Sequence, residues 1–598
     1  MHEWASATDI ALHAHKERAM NSAYHDDAVK EGGPKQLQSP SHMDDNVPVV
    51  GTSLRKGGWR AACFILATEA MERLAFYSIS ANLVTYLLDE MHEPLPKAVN
   101  MVTNWIGAAY VLGIPGGFLA DAYLGRFCTI AIYSVCYILG LTLIMLSATV
   151  RSLRPSCEKG AIECGGPSSS HEGVLLAAMY MVAVGTGGIK PCVSTFGADQ
   201  FKDERGVAKK MMASFFNWFF FAVNIGALFA FTVVVYVQDN VGWGPGLAIP
   251  LAGMVASLLL LLCGLPLYHH RVPQGSPLTR ILQVMVAALR HSHLPLPART
   301  ASDAYLFQGP PLDAPALPKL PHSDAFRYLD KAATSKNVEK EKDNPWRLCS
   351  VTQVEECKLF LKILPIMATT LFLWTGYTQL VTFFVKQGST LNRTMGSQHF
   401  QIPPASLPVF SVVNALIVLP CYDKVIVPLS RRLMGHPFSP LQRMGFGLFI
   451  SILSMVVAAL VERHRLHVVR QFGLQDEPMA VVPMTIFWLV PQYFLVGLAE
   501  IFTYVGQLEF FYGEVSEGMQ SLSTSFFIAE LGIGSWISSL LVTIVRHVTG
   551  YENGWIIDNI NRSNIDRFYW LLAALSALNF LLFLICASLH RYKNSNAT

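Results

Sequence analysis

The sequence predicts an all-α membrane protein of twelve spans, arranged as two bundles of six helices. Three observations predict it. First, 52% of the 598 residues are hydrophobic and only 15% are charged, against about 25% charged in an ordinary soluble domain. Second, the apolar residues are gathered into long blocks, and mean hydropathy is +0.36, as expected where segments of about 20 apolar residues cross a bilayer. Third, one long hydrophilic stretch, 269–356, divides six blocks from six. Two such bundles rock about a central site in many carriers.

The spans are expected at 60–90, 99–121, 127–149, 174–196, 211–237, 243–268, 357–387, 405–430, 438–462, 483–512, 519–545 and 567–590. Domains follow as a disordered tail 1–56, a bundle 57–268, a linker 269–356, a bundle 357–590 and a tail 591–598. The first tail is polar and lacks the apolar core of a signal peptide. Lys and Arg cluster at Arg55, Lys56 and Arg60, at Lys202 to Lys210, at Arg431 and Arg432, and in the linker. This places both termini and the linker in the cytosol. The cluster Arg463, Arg465 and Arg470 falls outside and disagrees with the rule. Sequons at Asn392 and Asn561 fall in outer loops and mark candidate glycosylation sites. Cys157 and Cys164 share one outer loop, which allows either a disulfide or two unpaired thiols. The plasma membrane is expected ahead of the vacuolar membrane.

Inside the linker, Leu278, Ile281, Leu282, Met285 and Leu289 repeat at helical spacing. They predict an amphipathic helix lying on the inner membrane surface or against the bundle. The rest, Pro-rich over 293–321 and charged over 323–347, reads as a tether.

Charges within the spans carry the functional signal. Glu69, Glu72 and Arg73 stand in the first span, at spacings that put both Glu72 and Arg73 beside Glu69 on a helix. Such groups must pair and face a polar cavity. One acid neutralises Arg73; the other takes or releases a proton. The competing reading is a static ion-pair cluster. Lys190, in Gly-Thr-Gly-Gly-Ile-Lys-Pro, can hold a carboxylate or inorganic anion as a point charge or snorkel to the interface. Glu500 can receive a substrate amine or a proton, and Tyr504 lies one turn on. Tyr377 offers a ring and a hydroxyl, with Trp374 three residues before it. Glu530 is a further buried acid, either a second proton site or a polar helix contact. Asp121 and Arg126, between the second and third spans, read as a charge pair that gates one conformation. Arg126 and Thr129 have the spacing of a basophilic kinase site. No metal-spaced Cys/His cluster, nucleophile elbow or phosphate-binding glycine loop occurs, which argues against an enzyme and against direct use of ATP. Net charge is only +3, so nucleic acid is not an expected partner.

These motifs together resemble the proton-coupled oligopeptide transporters of the major facilitator superfamily, in their plant nitrate/peptide branch. Glu69-Ala-Met-Glu72-Arg73 resembles the family's first-helix motif, and 117–126 the superfamily's loop motif. Residues 185–201 and 215–226 resemble its fourth- and fifth-helix signatures, with further similarity at 344–356, 441–445 and 507–512. The resemblance implies the major facilitator fold and proton symport of di- and tripeptides by alternating access. Glu69, Glu72 and Arg73 would couple the proton. Arg73, Tyr77, Lys190, Tyr377, Asn414 and Glu500 would bind substrate, with Glu500 on the peptide amino terminus. The coupling ion is the proton and no cofactor is implied. Family members also carry nitrate, glucosinolates and hormones, so a nitrate carrier is the alternative and a ligand sensor a more distant one. The family's nitrate carrier is expected to have a histidine where this chain has Tyr377. Glu530 departs from the family, where a neutral residue is expected.

Overall fold

The computed structural model describes residues 57–592 except 156–165, 202–206, 271–274, 296–305, 309–319, 336–337, 342, 396, 436–437, 517–518, 553 and 591. The two tails and the Cys157/Cys164 loop lie outside the described residues. Each expected span falls on helix. We number them α1, Gly58–Asp89; α2, Leu95–Leu124; α3, Arg126–Thr149; α4, Ser169–Asp199; and α6, Trp243–Cys263. Helix α5 starts as Val207–Phe229 and continues through a π turn to Asn240. Then come α7, Val351–Ala368 and Leu371–Ser389; α8, Val409–Cys421 continuing to Met434; α9, Pro440–Gln471; α10, Val490–Glu514; α11, Gln520–Thr549; and α12, Ile565–Leu589.

Among the described residues, nine helices are long and apolar enough to span a membrane, or ten with the bent α7 counted as one. The exceptions are α1 and α8. Helix α1 is 32 residues long, but Glu69, Glu72 and Arg73 lower its hydropathy. Helix α8 passes through a π turn at Tyr422–Ile426, and its apolar part among the described residues is Pro404–Val418. Two short ribbons add strand to the expected all-α chain: Leu391–Asn392 beside Val482–Thr485, parallel, and Thr394–Met395 beside Ser397–Gln401, antiparallel.

Small residues let the helices approach. A side chain at Gly187 would strike Leu112 of α2, and one at Gly107 would strike the Trp536 ring of α11. Close backbone approach of this kind is how membrane helices gain contact without a hydrophobic driving force. Helix α4 continues through Pro191, whose lost hydrogen bond does not end it.

The halves meet along α2 and α11. Asn100 Nδ2 donates to Thr543 Oγ1 at 3.0 Å, and Trp536 Nε1 to the Asn104 carbonyl at 3.2 Å. At the end distal to the linker, residues of both halves share apolar clusters; Leu95 and Val99 pack with Leu380 and Phe384, and Phe231 with Val385 and Val412. Arg393 bonds Asp239 across that end at 3.2 Å, and Tyr236 stacks on Phe400.

The linker differs from a plain tether. Its helix, Pro277–Arg290, buries Ile281, Val284, Ala287 and Ala288 against Leu329, Ala332, Ala333 and the start of α7. The expected apolar face is thus rotated: Leu282, Met285 and Leu289 are exposed. Short side chains at 287 and 288 allow closer packing than the longer ones would, a cue that counting large apolar residues passes over. Residues Arg327–Ala333 form a 3-10 helix docked by Lys358, which bonds Asp330 at 2.6 Å and Glu355 at 2.8 Å. His322, Asp330 and Glu355 are spaced for a metal, yet the Lys358 ammonium already bridges the two carboxylates.

Helix α9 accounts for one of the three anomalous arginines, Arg463 and Arg470 staying exposed, and corrects one expectation. It runs past the expected 462 to Gln471, so Arg465 is helical and fully buried. Arg465 bonds Glu462 through Nε at 2.8 Å and Nη2 at 2.7 Å, and donates to Asn561 Oδ1 at 2.7 Å. It is a paired core charge, not a loop charge. Asn561 is buried, and its Nδ2 donates to the Leu474 and Glu477 carbonyls. No sugar fits there, so the glycosylation expectation fails at Asn561. Asn392 is exposed at its turn. In a eukaryotic host, Asn392→Gln is expected to remove the glycosidase-sensitive gel shift completely, and Asn561→Gln to leave it unchanged.

Candidate functional site

Helix α1 supplies the ionic centre. Arg73 Nε lies 2.6 Å from Glu69 Oε1 and 3.3 Å from Glu72 Oε2. The two carboxyl side chains are 0% exposed, while Arg73 keeps 12% exposure. The group therefore borders space that solvent reaches. Its two acids are not equivalent. Glu69 is one helical turn before Arg73 and accepts its hydrogen bond. Neither Glu72 oxygen has a hydrogen-bond partner among the described residues. The two acids thus hold Arg73 differently: Glu69 by a hydrogen bond, Glu72 by a longer ion pair.

Lys190 comes from α4, brought close by the glycines at 185–188. Its Nζ lies 3.4 Å from the centroid of the Phe76 ring and 3.9 Å from that of Tyr110. It has no hydrogen-bond acceptor among the described residues, although it feels the charges of Glu69, Glu72 and Arg73. Aromatic faces hold a desolvated cation by their quadrupole and leave its protons unused. Trp105 stacks on Phe76 at 5.4 Å and anchors its own Nε1 on the Met179 carbonyl at 2.8 Å.

Glu500 stands across from this group, on α10, half-buried and with no ion-pair partner among the described residues. It interacts electrostatically with Tyr77, Tyr110 and Tyr377. Tyr77 in turn feels Arg73, Glu72 and Tyr504. The structure thus brings Glu69, Glu72, Arg73, Tyr77, Lys190, Tyr377 and Glu500 to one site between the halves. Asn414 is set against α10, where its Nδ2 donates to the Phe494 carbonyl at 2.8 Å and its Oδ1 has no hydrogen-bond partner. Phe76, Tyr110 and Tyr137, which acts on Glu72, belong to the site but not to the sequence expectation. Aromatic residues are common in spans, and only the third dimension separates these.

Asp121 and Arg126 are 3.5 Å apart, yet Arg126 bonds Asp199 more closely and also donates to the Thr195 carbonyl at 3.2 Å. These bonds join α2, α3 and α4, so they brace the N-terminal bundle. Thr129 is fully buried, with Oγ1 donating to the Gly125 carbonyl at 2.9 Å. A kinase cannot reach it in this conformation.

The model of the POT family, PTR2, matches residues 127–556. The chain belongs to the POT family. Relatives from Arabidopsis thaliana agree: NRT1/PTR family protein 8.1 is 44% identical over 90% of this chain and 95% of its own length. NRT1/PTR family protein 8.3 is 42% identical over 91% and 93%. Among solved structures, an auto-inhibited POT family peptide transporter aligns at TM-score 0.63 and 18% identity, over 89% of this chain and 97% of that one. PepTSo aligns at TM-score 0.62 and 21% identity, over 88% and 99%. The fold is that of the major facilitator superfamily. The protein is a multi-pass membrane transporter and not an enzyme.

The Arg126 node gives a direct test. Asp199 is 2% exposed and Asp121 20%. Asp199→Asn should lower stability by up to about 3 kcal/mol, because it removes the closer and more deeply buried of the two carboxylates on Arg126. Asp121→Asn should cost about 1 kcal/mol or less. Thermal unfolding of the two purified variants in one detergent reads the order.

Proposed function

We propose that this POT family transporter is a proton-coupled symporter of di- and tripeptides working by alternating access. One observation carries the reading: the site has cations on one wall and an unpaired acid on the other. A peptide has a carboxylate for Arg73 and Lys190 and an ammonium for Glu500, with tyrosine rings between. A binding site that reads two charged ends tolerates varied side chains. Nitrate has only the first charge, and Glu500 would repel it.

The coupling ion in this reading is the proton, and no cofactor is required. With the site open outward, a proton on Glu72 leaves Arg73 paired to Glu69 alone. Arg73 and Lys190 then have charge to share with a substrate carboxylate. When the site opens inward, the proton leaves for a less acidic compartment. The Glu72 anion recaptures Arg73, and the substrate loses its anchor. Contacts at the end distal to the linker, Arg393–Asp239 among them, would part for outward opening. The membrane is taken as the plasma membrane, with both termini in the cytosol.

Oocyte electrophysiology at acid external pH tests the substrate. Dialanine alone should evoke inward current and nitrate alone none. Glu500→Gln at normal surface level should lose about tenfold or more of the peptide current, the scale of losing one charge-assisted bond. Current with nitrate only would overturn the reading.

A further inference from the structure

Outside the central site, one deeply buried acid of the C-terminal half has no ion-pair partner among the described residues. Glu530 of α11 is 2% exposed. Its Oε2 accepts from Thr370 Oγ1 at 2.7 Å and from Gln507 Nε2 at 2.6 Å. Its Oε1 makes no hydrogen bond of good geometry among the described residues, and the Trp374 indole is the donor that interacts with the carboxyl. Thr370 sits in the break of α7, where Val351–Ala368 and Leu371–Ser389 meet at 45°. The neighbouring Thr369 carbonyl is held by Asn579 of α12 at 2.5 Å.

We propose that Glu530 is a second proton-binding site, which ties protonation to the bend of α7. The argument is one of charge and satisfaction. Charged groups on the elements around it are engaged elsewhere. On α7, Glu355 pairs with Lys358, and Glu356 with Arg280. On α10, Glu509 pairs with Arg443 and Glu514 with His590. The groups that act on Glu530 are the neutral Thr370, Gln507 and Trp374; the charges of α2 and α4, which also pack on α11, are engaged with one another or with α1, Lys97 with Glu93 and Glu172, Asp121 and Asp199 with Arg126, and Lys190 with the α1 group. A buried carboxylate with no cation beside it and only neutral donors is strongly disfavoured. As the neutral acid, with the proton on Oε1, it accepts two bonds on Oε2 and leaves no charge uncompensated.

The position gives the proton leverage. Losing it to water breaks the Oε1–H bond and leaves an anion that needs further donors. The nearest is the Trp374 indole, whose Nε1 also makes no hydrogen bond of good geometry among the described residues. Drawing Trp374 and Thr370 toward α11 moves both sides of the α7 break. Trp374 stacks edge-on with Tyr377 at 5.7 Å, and Tyr377 feels Glu500. Gln507 lies two turns from Glu500 on the same helix. Proton occupancy at Glu530 thus reaches the substrate wall of the C-terminal half.

Infrared pH-difference spectroscopy tests the site on the full chain in lipid without substrate, so it does not depend on the peptide reading. The wild type should show a carboxylic C=O band that titrates and is missing from Glu530→Gln. Thr370→Val, which keeps the acid but removes a donor, should shift that band. Superimposable spectra for wild type and Glu530→Gln, or an unshifted band in Thr370→Val if the Gln variant does not fold, would overturn the site. In proteoliposomes with dialanine, Glu530→Gln should lower the proton-to-peptide ratio. An unchanged ratio would overturn the link to coupling, whereas no dialanine flux in the wild type would overturn only the peptide reading.

Discussion

Keeping three charges of α1 and one of α4 inside an apolar bundle is the constraint on which the rest of the structure depends. An ion transferred from water to such an interior costs several kcal/mol even after relaxation. Glu69 and Arg73 offset that cost together. Glu72 is held less closely, 3.3 Å from Arg73 Nε without a hydrogen bond, and Lys190 rests between two rings. Arg73 is shared by the two carboxylates, at 2.6 and 3.3 Å, while Lys190 has no hydrogen-bond acceptor among the described residues. The glycines that bring α2, α3 and α4 together serve this arrangement, because Lys190 reaches Phe76 and Tyr110 only at close helix spacing.

The same accounting separates structural charge from functional charge elsewhere. Arg465 is as buried as Glu72 but makes bonds to Glu462, Asn561, the Ile560 carbonyl and Thr390. Lys358 is saturated by Asp330, Glu355 and the Ser323 carbonyl. These networks fix loops and the linker to the C-terminal bundle. Lys190 and Glu530 differ from these: each is buried with no ion-pair partner among the described residues.

Much of this was legible in the chain. Apolar block length placed every span on helix, since the bilayer imposes length on the sequence directly. Ionisable residues within those blocks pointed to Glu69, Glu72, Arg73, Lys190 and Glu500, because charge is rare there for energetic reasons. What could not be read depends on neighbours distant in sequence. The Lys190 clamp needs α1, α2 and α4 at once. Asp199 replaces Asp121 as the closer partner of Arg126 only in three dimensions. The linker helix turned a different face to the protein because Ala287 and Ala288 pack closely, and Asn561 looked like a surface sequon until Arg465 claimed it.

The central claim is that Glu72 carries the coupling proton while Glu69 serves as counter-ion to Arg73. Peptide uptake into proteoliposomes driven by an imposed pH gradient, compared with counterflow without one, tests it most directly. The account predicts that Glu72→Gln loses gradient-driven accumulation yet keeps counterflow, since binding and reorientation survive in the permanently neutral form. Accumulation that persists in Glu72→Gln, with its dependence on external pH unchanged, would contradict the account.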